Sequence, residues 1–459
     1  MPTTTRPQPT RPDPPLAGVT GRLFGVVARP FQAFLALQAA SGILLLACAV
    51  AALVWANVDP ASYRAAFAYP ISLGAGDARA DFTVGALIDD GLMAIFFFVV
   101  GMEIKRELVT GELDSLAKAS LPAIAAVGGM VLPAAIFLAA TWSSPGRHGW
   151  GVPMATDIAF CVGLLTLLKG RVPHALVVFV TALAIFDDIG GILVIAFFYG
   201  DGLDLRWLAV AGGLLLVLYG MGRVRLVHGL AYAVMGVGLW YALHHAGIHA
   251  AIAGVLLGLM IPARPPRASR AVLRELADHV AALDRKPPDE ELDGAEVVAI
   301  EAKLEDLQAP VQRFVHLLHP FVAFVIMPLF ALANAGVSLR GGGVGALLAP
   351  VTVGVAAGLL VGKAAGIFAL TWLAVRLGLA PMPGGATGRQ LLGVSILAGI
   401  GFTVALFIAT LAFPHDEGLR AHAKLGILIG SFAAGLIGYL VLRLGAASRS
   451  STGTHAGTQ

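Results

Sequence analysis

The chain has 459 residues, of which 58% are hydrophobic and only 13% are charged, and its formal net charge is +3. This composition excludes a soluble globular domain, whose surface needs more charged groups, and it places the chain in a lipid bilayer. The small net charge and the scattered basic residues argue against a nucleic-acid partner. The two cysteines both lie in apolar runs, which argues against a disulfide framework or a cysteine metal site.

Twelve apolar runs predict about twelve transmembrane helices, several of them close to the minimum length for a span. The runs cover residues 35–56, 87–102, 121–141, 149–168, 175–199, 207–221, 227–243, 247–262, 314–337, 347–375, 390–413 and 425–445. An even number of spans puts both termini on one side. Most Lys and Arg residues then fall in the tails and loops of that side, which predicts that both termini are cytoplasmic.

Residues 31–445 are therefore predicted to form one transmembrane domain between two disordered cytoplasmic tails. The first tail, residues 1–30, is rich in Pro, Thr and Arg and lacks the apolar core of a signal peptide. The second tail, residues 446–459, is rich in Ser, Thr and Gly.

The longest connection, residues 263–310, is predicted to be a cytoplasmic insertion loop. Apolar residues recur at helical spacing over 273–283 and again over 297–307. This pattern predicts two short amphipathic helices. A packed linker and a regulatory flap are both consistent with it.

Two adjacent carboxylates lie in the middle of the 25-residue run 175–199, where Asp187 is the thirteenth residue and Asp188 the fourteenth. A charged side chain at the centre of a bilayer costs roughly 2.5–3.5 kcal/mol, so such residues usually have a partner or line a wet cavity. Neighbours on a helix project about 100° apart, which predicts different roles for the two acids. Lys363 is the other strong intramembrane charge, so one acid is predicted to pair with it and the other to bind a cation.

Two apolar runs carry features that interrupt a helix. Asp157 follows Thr156 in a run that contains Pro153, and Gly399 and Gly401 flank a single residue in the eleventh run. Paired interrupted spans in the two halves of a transporter indicate a transport site near the membrane midplane. Glycine-lined helix packing is an alternative explanation for the two glycines.

Other polar residues lie nearer the ends of the runs. They are Asp89 and Asp90, the charged run Glu103-Ile104-Lys105-Arg106-Glu107, His249, His316 and His319. Positive-inside anchoring alone also explains the basic residues of the charged run, and helix packing also explains a lone histidine. Nothing near these residues resembles a set of metal ligands.

Five stretches of the chain closely resemble the NhaA-type sodium/proton antiporters of bacteria. They are Gly101–Leu108, Ala155–Phe160, Leu183–Gly190, Ala331–Ser338 and Gly399–Thr403, and they occur in the family's order over nearly the whole chain. The resemblance implies an all-α integral membrane protein of twelve transmembrane helices with an inverted-topology repeat, in which two broken helices cross at mid-membrane. It also implies an electrogenic secondary transporter of the bacterial inner membrane that extrudes sodium or lithium in exchange for protons, supports sodium and pH homeostasis, uses no cofactor and forms a homodimer.

The same resemblance assigns roles to individual residues. Asp188 would be the principal carboxylate for cation and proton, with Asp187 beside it at the sodium site and associated with Lys363. Asp157 and Thr156 would compensate charge at the helix crossing. Asp90 would be an acid on the outward side, and the groups of the pH response would be Glu103, Arg106, Glu107, His249, His316 and His319. The chain departs from the family at Val315, where the family pattern carries an acid.

This chemistry suits a small hard cation, because sodium and lithium prefer oxygen ligands such as carboxylates and the carbonyls that broken helices expose. An intramembrane aspartyl protease is the alternative from another class, since Asp157 and Asp187 or Asp188 lie on successive spans. The Gly-x-Gly-Asp sequence typical of such proteases is absent, and Lys363 would disturb a shared proton. A channel or a sensor that does not transport is a further alternative.

Overall fold

The structure is a computed structural model that describes residues 40–75, 78–168, 171–200, 202–224, 228–265, 269–283, 293–338 and 343–445. The predicted tails, residues 1–30 and 446–459, lie outside the described residues. Helices dominate the described part, as the apolar runs predict.

The described helices follow the predicted runs along the chain. In chain order they are α1 (Ala40–Val58), α2 (Pro60–Phe67), α3 (Val84–Thr110), α4 (Leu116–Ala140), the 3₁₀ segment Pro145–Met154, α5 (Ile158–Leu167), α6 (His174–Phe198), α7 (Leu205–Arg223), α8 (Gly229–His245), α9 (Ala251–Met260), α10 (Ser269–Leu283), α11 (Gly294–Leu307), α12 (Pro310–Asn334), α13 (Gly343–Leu347), α14 (Pro350–Arg376), the short 3₁₀ turn Pro383–Gly385, α15 (Gly388–Leu397), α16 (Phe402–Ala412) and α17 (Glu417–Gly445).

The number of helices that could cross a membrane lies between eight and ten within the described residues. Eight helices are long and apolar enough by themselves. Two bent pairs add one span each: the 3₁₀ segment with α5, which meet at 44°, and α15 with α16, which meet at 46°. The predicted runs 227–243 and 247–262 correspond to α8 and α9, which have 17 and 10 residues. Twelve spans and the inverted repeat therefore stay predictions.

The expectation of an all-helical chain is wrong at one place, the connection between α2 and α3. Strand β1 (Pro70–Ala75) pairs antiparallel with β2 (Ala78–Thr83), from Pro70 opposite Thr83 to Ala75 opposite Ala78. Gly76-Asp77 separates the two strands in the sequence, and a Gly-Asp pair between two short segments favours a hairpin. The two strands are short and lie between the apolar runs, so the hydropathy pattern that predicts the spans does not reveal them.

The two helices predicted in the insertion loop are confirmed as α10 and α11. They lie against each other, and the Lys303 ammonium donates a hydrogen bond of 3.3 Å to the Glu275 carbonyl. The pairing leaves much of the predicted apolar faces uncovered, because Leu273, Val280 and Leu304 are 51%, 48% and 45% exposed.

Small residues let α14 approach α4 closely. Gly128 on α4 faces Gly366 on α14, and a Cβ atom at either position would collide with the backbone carbonyl of the other. Close approach through facing glycines is a common way to pack helices in membranes. The consequence for the site is that Lys363, one turn before Gly366, lies deep inside the helix bundle, where it is fully buried.

Candidate cation and proton site

Both predicted helix interruptions are confirmed, and they meet. The first break separates the 3₁₀ segment from α5 at residues 155–157, and the second separates α15 from α16 at residues 398–401. The Asp157 amide donates a hydrogen bond of 2.6 Å to the Ile400 carbonyl, which joins the two breaks. A Cβ atom at Gly401 would lie 2.9 Å from the Ala155 carbonyl oxygen, so glycine permits this approach.

Asp157 caps two helices at the crossing. Its Oδ1 accepts a hydrogen bond from the Phe160 amide at 3.2 Å, which caps the start of α5. Its Oδ2 accepts from the Thr403 hydroxyl at 2.5 Å and from the Thr403 amide at 3.2 Å, at the start of α16. Helix amino termini carry partial positive charge, so this buried carboxylate stabilises both. Thr403 belongs to the Gly399–Thr403 stretch, but its contact with Asp157 could not be predicted from the local sequence.

Lys363, Asp187 and Thr156 form a second buried group at the crossing. The Lys363 Nζ atom lies 2.5 Å from Asp187 Oδ2 and donates to the Thr156 hydroxyl oxygen at 2.8 Å. The Thr156 Oγ1 atom also lies 2.7 Å from Asp187 Oδ2 and 2.8 Å from the Ala398 carbonyl oxygen. The residues alone left open which acid would pair with Lys363, and the resemblance assigned Asp187. The structure confirms that Asp187 is that acid.

The π-helical turn Gly358–Gly362 immediately precedes Lys363 in α14. Such a turn inserts one residue into a helix and is frequent at functional sites, because it changes the direction of the side chains that follow. The second carboxylate oxygen of Asp187, Oδ1, is also buried, and it has no hydrogen-bond partner among the described residues. One carboxylate oxygen of Asp187 therefore contacts Lys363, while the other has no hydrogen-bond partner in the described part of the chain.

Asp188 differs from its neighbour. No hydrogen bond or ion pair links its carboxylate to another described residue, and it is 6% exposed. It lines a cavity of about 110 Å³, which we call the Asp188 cavity and which Asp157, Thr156 and Thr403 also line. A space of this size holds a few water molecules or a partly hydrated small cation.

The residues that the resemblance assigns to the pH response lie in three places: at the Asp188 cavity, at the exposed His316, and at His249 beside Asp90. Glu103, Arg106 and His319 line the Asp188 cavity. Glu107 adjoins it through an ion pair of 2.9 Å with Arg106. The exposed His316 does not line it, and Val315 is buried.

His249 lies apart from the Asp188 cavity, beside Asp90. Its Nε2 atom is 3.4 Å from Asp90 Oδ1. The structure thus joins the acid that the resemblance places on the outward side to one of the six residues of the pH response.

A further polar group was not recognised as a unit in the sequence. The Asn334 side-chain amide donates a hydrogen bond of 2.6 Å to Asp89 Oδ1, and its Oδ1 atom accepts from Lys424 Nζ at 3.4 Å. We call Asp89, Asn334 and Lys424 the amide-bridged cluster. Lys424 was not identified as an intramembrane charge because it directly precedes the apolar run 425–445. In the structure α17 begins seven residues earlier, at Glu417, so Lys424 lies within the helix.

Comparison with known proteins gives one consistent result. The family model described as Na+/H+ antiporter 1 matches residues 32–442. The chain is 60% identical over 438 residues to the Na(+)/H(+) antiporter NhaA of Anaeromyxobacter sp. (strain Fw109-5), covering 95% of each chain. It is 54% identical over 434 residues to the Na(+)/H(+) antiporter NhaA 1 of Myxococcus xanthus (strain DK1622), covering 94% of this chain and 96% of the relative. This chain belongs to the Na+/H+ antiporter 1 family.

Proposed function

We propose that this protein is a secondary transporter that exchanges sodium, or lithium, for protons, with Asp188 as the carboxylate that binds each of them in turn. The observation that carries the proposal is the contrast between two adjacent acids. Asp187 contacts a buried lysine, whereas Asp188 lines a cavity and has no hydrogen-bond or ion-pair partner among the residues that the structure describes. A buried carboxylate without a partner is costly in a membrane, so it needs a proton or a cation.

The oxygen atoms around Asp188 suit a small hard cation. Sodium and lithium favour carboxylate, carbonyl and hydroxyl oxygens over nitrogen or sulfur. Asp188, Thr156 and Thr403 supply such oxygens to the cavity. The neighbouring Asp187 does not line it, but its Oδ1 atom is buried without a hydrogen-bond partner in the described part of the chain. Sodium is the cargo in this arrangement, and exchange requires no cofactor.

Lys363 has the part of proton carrier or charge compensator. A cation that approaches Asp187 competes with the Lys363 ammonium for that carboxylate. If Lys363 then loses its proton while Asp188 loses its own, two protons leave the site for each cation that binds. One net positive charge then moves inward for each sodium extruded, and a negative cell interior drives the exchange.

The finer architecture belongs to the same proposal. Residues 31–445 form twelve spans with an inverted repeat in the bacterial inner membrane, both termini and the 263–310 insertion are cytoplasmic, and the tails are residues 1–30 and 446–459. Support comes from α8 and α9, which occupy the two remaining apolar runs, and from the two broken pairs, which lie in opposite halves of the chain. The Glu103, Arg106, Glu107 and His319 group beside the cavity, with His249 and His316 elsewhere, supplies the pH response. A homodimer is part of the proposal on the family resemblance alone.

The aspartyl protease alternative gains no support from the geometry. A protease dyad needs two carboxylates that share one proton. Here Asp157 Oδ2 binds Thr403, and Asp187 Oδ2 binds Lys363.

The test is collapse of a pH gradient in everted vesicles that contain the protein. Addition of sodium or lithium should dissipate the gradient, potassium serves as the comparison, and vesicles without the protein give the background. A gradient that persists in the presence of both sodium and lithium would reject the proposed function.

A further inference from the structure

The amide-bridged cluster lies at the opposite end of its helices from the Asp188 cavity. On α3, Glu103 lines the cavity, and Asp89 lies fourteen residues earlier, about 21 Å along a helix. On α12, His319 lines the cavity and Asn334 is the last residue of the helix. The cavity and the cluster are therefore at opposite ends of the same two helices.

An apolar layer separates these two ends. Phe97, Phe330 and Phe407 are at most 2% exposed and come from α3, α12 and α16. The ring centroid of Phe407 lies 5.2 Å from that of Phe97 and 6.2 Å from that of Phe330. We call these three residues the aromatic layer. Because Phe97 lies between Glu103 and Asp89, and Phe330 between His319 and Asn334, the layer lies between the cavity and the cluster.

The amide-bridged cluster connects three helices on its side of the aromatic layer. Asp89 lies in the π-helical turn Leu87–Leu92 of α3, Asn334 ends α12, and Lys424 lies in the first third of α17. Asn334 is 4% exposed and satisfies both neighbours, because its amide nitrogen donates to the acid and its oxygen accepts from the lysine. Hydrogen bonds to charged groups are stronger than those between neutral groups, and more so when they are buried.

We propose that Asp89, Asn334 and Lys424 tie α3, α12 and α17 together to keep this end of the exchange pathway closed while the Asp188 cavity is open at the other end. The inference rests on the proposed exchange function, which requires the site to open to one side at a time. Opening of the closed end separates α3 from α12, and Asn334 must then release Asp89. The three residues are thus positioning residues for exchange, and none of them holds the cation at Asp188.

The test compares the accessibility of two reporter cysteines to a small membrane-impermeant thiol reagent, in a background carrying Cys48→Ser and Cys161→Ser. Met93→Cys reports the closed end, because Met93 is fully buried midway between Asp89 and Phe97. Thr181→Cys reports the open end, because Thr181 lines the Asp188 cavity. Each reporter is measured with Asn334 intact, with Asn334→Ala and with Asn334→Asp, which retains an acceptor for Lys424 but faces Asp89 with a second carboxylate.

Asn57→Ala is the matched control. The half-buried Asn57 donates hydrogen bonds of 2.8 Å to the Leu53 carbonyl in α1 and of 2.7 Å to the Val337 carbonyl just after α12, so this change also removes amide hydrogen bonds close to the end of α12. It leaves the amide-bridged cluster intact. The control therefore distinguishes a general loss of packing near the end of α12 from loss of the contacts within the amide-bridged cluster.

We expect both Asn334 variants to raise labelling of Met93→Cys about tenfold and to lower labelling of Thr181→Cys, because a shift in population toward one state removes the other. Asn57→Ala should change neither. Labelling that rises at both reporters, that does not change, or that rises equally in Asn57→Ala would overturn the proposal. Sodium-driven proton flux is measured separately in the parent. Absence of this flux rejects the exchange function. Unchanged labelling in a protein that shows the flux rejects only the proposal that the amide-bridged cluster holds the three helices together.

Discussion

At the helix crossing Lys363 contacts Asp187 directly, whereas in the amide-bridged cluster Asn334 stands between Lys424 and Asp89. A direct ion pair can be exchanged, because a cation or a proton can take the place of the ammonium at the carboxylate. An interposed amide satisfies both charges without neutralising them, so it holds helices together and offers no site for cargo. On this basis we propose different parts for the two lysine and aspartate combinations, one in binding the cation and one in holding helices together.

The largest expected effect comes from removing the acid that has no partner. Asp188→Asn should abolish sodium-driven proton flux, because an amide keeps the shape but neither releases a proton nor balances the charge of a cation. Flux in proteoliposomes measures this. The matched control is Asp114→Asn, the same change at an exposed acid that pairs with Lys118 at 3.1 Å. Near-normal flux in Asp188→Asn, with correct insertion, would remove Asp188 from the mechanism.

Breaking the direct pair should lower stability. Asp187→Asn leaves the Lys363 ammonium buried without its acid, which costs about 3–5 kcal/mol unless the lysine loses its proton. We expect a lower Tm, partly restored when Asp187→Asn is combined with Lys363→Gln. Thermal unfolding of the two single variants and the double variant measures the coupling. Strictly additive effects would show that the two side chains do not stabilise each other.

A smaller loss is expected at the helix crossing from Thr403→Val. This change removes the hydroxyl that donates to Asp157 and should cost about 1–3 kcal/mol, because the carboxylate loses a buried hydrogen bond. Thr410→Val is the control on the same helix, since the Thr410 hydroxyl donates only to the Phe407 carbonyl within α16. Equal changes in Tm for the two variants would mean that the Thr403–Asp157 hydrogen bond stabilises the protein no more than the hydrogen bond of Thr410 within α16 does.

The smallest effect concerns Val315, which lies one helical turn before His319. Residues four apart share one face of a helix, so Val315→Glu would add a negative charge beside the cavity-lining histidine. We expect the pH range of activity to move by ~0.2–0.7 unit, as for a partly screened charge pair. Val315→Gln controls for shape and burial. A profile identical in parent and Val315→Glu would exclude this position from the pH response.

The sequence predicts those parts of the site that depend on local pattern. Acids within apolar runs stand out by hydropathy alone, as Asp187 and Asp188 do, and helix breaks follow from Pro153 and from Gly399 with Gly401. Which acid meets Lys363 could not be derived from the residues, because it depends on how α14 is rotated after a π-helical turn.

Contacts between residues that are far apart in the sequence could not be predicted from the local sequence pattern. Thr403 is 246 residues from Asp157, and Asn334 is 245 residues from Asp89. Such contacts are made by packing between distant helices. The hairpin between α2 and α3 was missed for a different reason, since its strands are too short to stand out beside the apolar runs that flank them.

In the proposed mechanism cation and proton compete for Asp188, and the dependence of apparent sodium affinity on pH reveals whether they do. Below the pKa of the site, each unit fall in pH should weaken apparent sodium affinity about tenfold for each proton displaced, because both ligands need the same carboxylate. The measurement is the sodium concentration that gives half-maximal proton flux in proteoliposomes at a series of pH values. We expect a steady loss of affinity toward acidic pH with little change in maximal rate at saturating sodium. A sodium affinity that stays constant while the maximal rate changes with pH would contradict it.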